Sequence, residues 1–118
     1  MITYFPDNTY STPPDVERHI LDVLMFGKRW GLYGAFLFLV LKARRAALDG
    51  IYDNQLWANS SHRVFDLVER CGGRFQIEGF EHLRAVKPPV VFVSNHMSTL
   101  ETQVLPAMIA PLIPVTFV

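Results

Sequence analysis

The chain has 118 residues, half of them hydrophobic, and its 11 basic residues balance 11 acidic ones to a formal net charge of zero. This length allows one small domain with a modest core, and the zero net charge argues against nucleic acid as a partner. The only cysteine, Cys71, rules out a disulfide framework and a thiolate zinc site.

The first predicted helical region opens at Thr12-Pro13-Pro14-Asp15, where proline suits a first turn and Asp15 favours the positive end of a helix. The uncharged, apolar run over residues 30–41 follows, and Asp49-Gly50 predicts where its helix ends. As a helix this run would be about 18 Å long, against roughly 30 Å for a bilayer core. Extending the run towards the amino terminus adds length but includes Asp22. Length alone therefore leaves open whether the helix spans the membrane or dips into one leaflet.

The flanks of this run favour contact with a membrane surface. Basic residues lie at both ends and aromatic residues near one edge, which is typical of a helix that dips into one leaflet while its cations reach the headgroups. A helix buried in a protein core is the alternative. The residues predicted to contact the membrane are Lys28, Arg29, Trp30, Phe36, Phe38, Lys42, Arg44 and Arg45.

A second helix is predicted from about Asn59-Ser60, with apolar residues at helical spacing, and Gly72-Gly73 ends it. After it we expect strand, turn, strand, helix and strand, an order typical of an α/β sheet. The predicted organisation is a helical, membrane-interfacial region over residues 1–71, then the first part of an α/β domain over residues 72–118.

Residues 90–101 form the most informative segment. Four apolar residues at 90–93 predict a strand covered on both faces, and such strands carry reactive side chains at their carboxyl ends. His96 and Glu101 are about 140° apart on one regular helix, so they can meet only if His96 lies in the loop and Glu101 in the first helical turn. The alternative role for Glu101 is structural, because Ser98-Thr99-Leu100-Glu101 is also a capping box.

The block Asn95-His96-Met97-Ser98-Thr99-Leu100-Glu101 resembles the glycerolipid acyltransferase family, which includes 1-acylglycerol-3-phosphate acyltransferases. That family carries Asn-His, four residues and an acidic residue after a short apolar strand. Residues 74–83 are similar to the strand, glycine and turn before that block, and residues 114–118 resemble the start of the next family strand. The acidic position here holds Glu101, where Asp is usual.

The resemblance implies a lysophospholipid-type O-acyltransferase of phospholipid biosynthesis. His96 would be the general base and Glu101 its carboxylate partner. Asn95 and Ser98 would be the substrate-binding residues, Asn95 also shaping the loop and Ser98 also capping the helix beside it. The acyl donor would be acyl-CoA or an acyl carrier protein, the acceptor a membrane lipid, and the location a cytoplasmic membrane face. The resemblance calls for neither a metal nor a bound cofactor.

The family's later blocks, an arginine-containing segment and a Glu-Gly-Thr-Arg-like segment, are not found before Val118. We therefore expect the chain to be the amino-terminal portion of a longer enzyme or a truncated copy of one. Two other interpretations stay open. One is a non-catalytic membrane-surface or partner-binding module, and the other is a wholly soluble α/β binding domain.

Overall fold

A computed structural model describes residues 2–116 as a mixed, helix-rich fold. Within that range the fold comprises five helices and one small sheet of two strands. In chain order the elements are β1 (Thr9–Ser11), α1 (Ile20–Leu24), α2 (Arg29–Leu48), α3 (Asn54–Arg70), β2 (Gln76–Glu78), α4 (Phe80–Ala85) and α5 (Leu100–Ile109).

Helix α3 is the centre of the packing. Asp53 caps it by accepting a hydrogen bond from the Leu56 N–H at 2.7 Å, and Gly72, with φ of 95°, follows its end. The sequence prediction of a start near Asn59-Ser60 was too late, because the cap that begins the helix is Asp53. The predicted stop at Gly72-Gly73 is confirmed.

Helix α1 begins later than the sequence predicts. Thr12 is held beside β2, because its N–H donates to the Phe75 carbonyl at 3.0 Å and its hydroxyl accepts from the Phe75 N–H at 2.7 Å. With its backbone extended in this way, Thr12 does not start a helix. The helix starts instead at Ile20, where the His19 imidazole accepts from the Leu21 N–H at 3.2 Å.

Helix α2 contains the apolar run and ends at Leu48, with Gly50 at φ of 72° just beyond, as Asp49-Gly50 predicted. Its first turn lies directly on α1. A Cβ placed on Gly31 would be 2.7 Å from the carbonyl oxygen of Leu21, so this approach requires glycine. The corner also buries the carboxylate of Asp22, which pairs with Arg18.

Strand β1 pairs with β2 in antiparallel register, Thr9 opposite Glu78 and Ser11 opposite Gln76. The sequence analysis did not predict β1, because its three residues gain their structure from a distant partner strand rather than from a local pattern. This two-stranded sheet contains only one strand from beyond residue 72, so the expected α/β sheet built from that region is not present within residues 2–116.

The core is an aromatic cluster between α3, α5 and the amino-terminal segment. Phe65 is only 1 % exposed and stacks on Phe75 with ring centroids 4.1 Å apart. Phe5 meets Phe65 edge to face and stacks on Phe80, at 5.2 and 5.3 Å. The core thus draws on residues from both sides of position 71, and the predicted division there stays a prediction.

Helix α5 is joined to α3 through its own backbone. Pro106 lies inside α5, and the Ser61 hydroxyl of α3 bonds to backbone groups on both sides of it. The Ser61 hydroxyl donates to Gln103 O at 2.6 Å and accepts from the Ala107 N–H at 2.9 Å. These two bonds fix the contact between α3 and α5.

The predicted strand over residues 90–93 is wrong. Within residues 2–116 this segment has no strand partner, and Val91 and Val93 are 86 % and 91 % exposed. A strand needs a neighbour to satisfy its backbone, and β2 pairs with β1 instead. Residues 114–116 are likewise not a strand, and the rest of the predicted last strand, residues 117 and 118, lies outside the described residues.

Candidate functional site

His96 and Glu101 lie in direct contact. His96 is in the loop that precedes α5, Glu101 is in the first turn of α5, and the imidazole Nδ1 lies 2.6 Å from the carboxylate Oε1. This is the loop-to-helix arrangement that the spacing of the two residues allowed. The spacing allowed this contact and the family resemblance implied it, although the sequence analysis placed His96 after a strand that does not form.

The contact determines which imidazole nitrogen carries the proton. An ionised carboxylate only accepts hydrogen bonds, so Nδ1 must be the donor toward Glu101. In the neutral ring the proton sits on Nδ1, which leaves Nε2 unprotonated and able to accept a proton. The His96 side chain is 71 % exposed, so Nε2 is open to an incoming molecule.

Glu101 also performs the predicted capping role. Its Oε2 accepts from the Ser98 hydroxyl at 3.1 Å, and its Oε1 accepts from the Ser98 N–H at 3.4 Å. A hydrogen bond from its own backbone N–H, those from Ser98 and the attraction of His96 lower the pKa of Glu101 despite some desolvation. The carboxylate is therefore ionised at neutral pH, as a partner of a histidine must be. Capping and contact with His96 coexist in one side chain.

The two residues predicted to bind substrate differ in their surroundings. Ser98 belongs to the capping network, since its hydroxyl also accepts from the Leu100 N–H at 3.1 Å. Asn95 is exposed, and its side chain has no hydrogen-bond partner within residues 2–116. Asn95 is thus free to contact a ligand, whereas Ser98 mainly orders the start of α5.

A cavity of about 290 Å³ adjoins this end of α5 and lies between α2, α3 and α5. Its lining includes Val40, Trp57 and Val64, together with Thr102 and Gln103, which directly follow Glu101. Sequence reasoning missed this cavity because it arises where three helices meet, and no single helix carries its pattern.

Helix α2 presents an exposed apolar stripe. Trp30, Tyr33, Leu37 and Leu41 recur at helical spacing and are 52–66 % exposed; Phe38 beside them is 67 % exposed. The predicted basic contacts are all exposed, with Lys28 and Arg29 at the start of the helix and Lys42, Arg44 and Arg45 in its second half.

Phe36 differs from the other predicted membrane contacts. It is half-buried and packs against the hydrophobic core, because it lies on the side of α2 that faces away from the exposed stripe. No helix within residues 2–116 combines the length and the apolar character needed to cross a membrane.

Searches for similar proteins return no match for this chain among protein-family models, curated proteins or solved structures. In the described part of the chain, no three histidine, cysteine or acidic side chains are grouped as metal ligands would be.

Proposed function

We propose that His96 and Glu101 act together as the general base of an acyl transfer from a thioester to a lipid hydroxyl. The single observation that carries the proposal is the 2.6 Å contact between Nδ1 of His96 and Oε1 of Glu101. With Nδ1 directed at Glu101, Nε2 is the ring nitrogen left to meet a substrate hydroxyl, and the side chain is exposed, which supports a general-base role.

The proposed chemistry involves one proton and two bonds. Nε2 of His96 takes the proton from the acceptor hydroxyl as its oxygen attacks the thioester carbonyl, and Glu101 stabilises the imidazolium that forms. The carbon–sulfur bond then breaks, an ester bond is left, and His96 returns the proton to the departing thiolate. The thioester is acyl-CoA or an acyl carrier protein derivative, and no redox change occurs.

The substrate class rests on the resemblance of Asn95, His96 and Glu101 to the glycerolipid acyltransferase block, with a lysophospholipid as acceptor. The cavity beside Thr102 and Gln103 supports a lipid substrate, since a hydrocarbon chain could lie against its apolar lining close to His96 and Glu101. The α/β acyltransferase domain of that family is part of the same proposal.

The test measures transfer of a labelled acyl group from acyl-CoA to lysophosphatidic acid in the presence of vesicles. His96→Ala should lower the rate about 10²–10⁴-fold, the usual contribution of a positioned general base. His82→Ala is the matched control, because His82 also neighbours a carboxylate but lies 3.5 Å from Glu81 and is 85 % exposed. Equal rates for His96→Ala and wild type would refute the general-base role.

Two variants at Glu101 separate its catalytic role from its capping role. Glu101→Gln keeps an acceptor for Ser98 but removes the charge, so activity should fall while the melting temperature stays close to that of wild type. Glu101→Ala removes both interactions and should lower both quantities, because the start of α5 also loses its cap. Full activity in Glu101→Gln would leave the glutamate with capping alone.

A second candidate function is attachment to a membrane surface without catalysis. The exposed stripe on α2, with Trp30 and Tyr33 at one end and Arg44 and Arg45 near the other, supports it. Such a helix would lie in the interface, its apolar side chains in the acyl region and its cations at anionic headgroups.

Vesicle sedimentation tests this attachment. Leu37→Glu should weaken binding to vesicles with anionic lipid by about tenfold or more, because a buried leucine contributes roughly 1.5–3 kcal/mol. Val91→Glu, a change of the same kind at an exposed position outside α2, should have no effect. Vesicle binding without acyl transfer in the wild-type chain would favour this second function over the first.

A further inference from the structure

A groove runs along the seam between α2 and α3. The facing stripe of α2 carries Leu39 and Ala43, and that of α3 carries Arg63 and Leu67, all at helical spacing. Two cavities, of about 450 and 110 Å³, lie along this seam, and both are lined by Leu39 and Arg63. They are therefore neighbouring parts of one groove.

The larger cavity is mainly apolar. Leu21 from α1, Ala35 and Phe38 from α2 and Leu67 from α3 contribute to its lining. Its volume lies within the roughly 300–1,000 Å³ typical of small-molecule sites. A single hydrocarbon chain suits such a space, which opens where α1, α2 and α3 meet.

The smaller cavity brings two cations together. Lys42 from α2 and Arg63 from α3 line it beside Asn59, and neither cation forms an ion pair or a hydrogen bond within residues 2–116. The larger cavity has a mixed rim that includes Asp66, Arg70 and His19, and Arg70 already donates to the Glu17 carbonyl at 3.2 Å. The smaller cavity, by contrast, is lined by Lys42 and Arg63 and, in the described part of the chain, by no carboxylate.

We propose that this groove binds a single-chain anionic amphiphile. The hydrocarbon chain occupies the larger cavity, and a phosphate-type headgroup is held by Arg63 and Lys42, with Asn59 as a further donor. Charge complementarity selects this occupant, since an anion is the group that two unpaired cations beside an apolar space recognise. The proposal does not depend on His96, so it stands or falls separately from acyl transfer.

Calorimetric titration with dodecyl phosphate, kept below its aggregation concentration, tests the site. The double variant Lys42→Gln/Arg63→Gln should weaken binding by at least about tenfold, since charge-assisted hydrogen bonds are lost. Arg74→Gln/Lys87→Gln is the matched control, because it removes the same charge from exposed positions that neither line the groove nor belong to the exposed face of α2. It should leave the affinity unchanged, and circular dichroism should show the same helix content in both variants.

The apolar and anionic halves are tested with three further probes. Octyl phosphate, dodecyl maltoside and inorganic phosphate should each bind more weakly than dodecyl phosphate. An affinity for inorganic phosphate equal to that for dodecyl phosphate would show that the groove binds the anion but not the hydrocarbon chain. An equal affinity for dodecyl maltoside would show that Lys42 and Arg63 do not contribute to recognition of the headgroup. Equal losses in the two double variants would reveal attraction by overall charge, and each of these three results would overturn the proposal.

Discussion

The α3-centred core and the outer face of α2 contain similar side chains in opposite situations. Phe65 of the core is 1 % exposed and has aromatic neighbours on several sides, whereas Phe38 of α2 is 67 % exposed. Both side chains lie in helices, and both are equally apolar in the sequence. Hydrophobicity alone therefore does not tell whether a side chain will be buried within its own chain or left for another molecule.

The same contrast between packed and exposed side chains divides residues 90–101, which the sequence analysis treated as one segment. Glu101 is held by Ser98 at the start of a packed helix, while Val91 and Val93, in the loop before it, are almost fully exposed. The contact between His96 and Glu101 forms without the strand that was expected to precede His96. The first turn of α5 and the loop before it suffice to bring the two side chains together.

The largest expected effect on stability comes from truncating Phe65, with Phe38 as the matched comparison. Phe65→Ala should lower the free energy of unfolding by about 3–5 kcal/mol, because it removes a large buried ring and leaves a cavity. Phe38→Ala should change it by less than about 0.5 kcal/mol, as is usual at an exposed position. Denaturant titration measures both values, and similar losses for the two variants would contradict the contrast between core and outer face.

A second, smaller effect distinguishes two tyrosine hydroxyls. The Tyr10 hydroxyl donates to buried Glu69 at 2.8 Å. Burial is the largest cause that raises the pKa of Tyr10 to about 12, and the hydrogen bond and charge of Glu69 come next. Tyr10→Phe leaves Thr12 as the remaining donor to Glu69, which should cost about 1–3 kcal/mol. Tyr33→Phe, on the exposed face of α2, should cost nothing measurable by thermal denaturation.

The smallest effect is a pH dependence inside the core. Burial beside Tyr4 lowers the pKa of His62, and this outweighs the opposing attraction of Asp66 and Glu69. The unfolded chain then binds more protons, so the stabilisation is complete above the ordinary histidine pKa of about 6.5 and is lost as the pH falls toward the folded value.

Melting temperatures at about pH 7.5 and about pH 5.5 check this sign. His62→Gln should reduce the difference between the two temperatures, whereas His82→Gln, at an exposed histidine, should leave it as in wild type. A difference that is unchanged in His62→Gln would place the pH dependence elsewhere.

Local chemistry explains which elements the sequence predicted. The ends of α2 and α3 follow from Gly50 and Gly72, whose positive φ values suit glycine, and the capping of α5 by Glu101 follows from the Ser98-Thr99-Leu100-Glu101 pattern. These features depend on neighbouring residues alone, so a single sequence is enough to find them.

Features that require distant partners were missed. Strand β1 exists because Thr9 to Ser11 meet β2, and Thr12 is kept out of a helix by Phe75. Residues 90–93 have no such partner in the described part of the chain and are not in a strand. The groove at Arg63 also depends on the packing of two helices, although the recurrence of polar residues along one side of α3 was a signal that α2 does not cover that side completely.

The glycine at position 31 has a consequence for how α1 and α2 meet any surface. Since Leu21 leaves no room for a side chain there, the backbones of α1 and α2 are in direct contact, and folding sets how the two helices are oriented to each other. That part of the orientational entropy is lost when the chain folds, so it is not lost again on association. A bilayer or a protein partner at this corner would order the exposed side chains, but not the angle between α1 and α2.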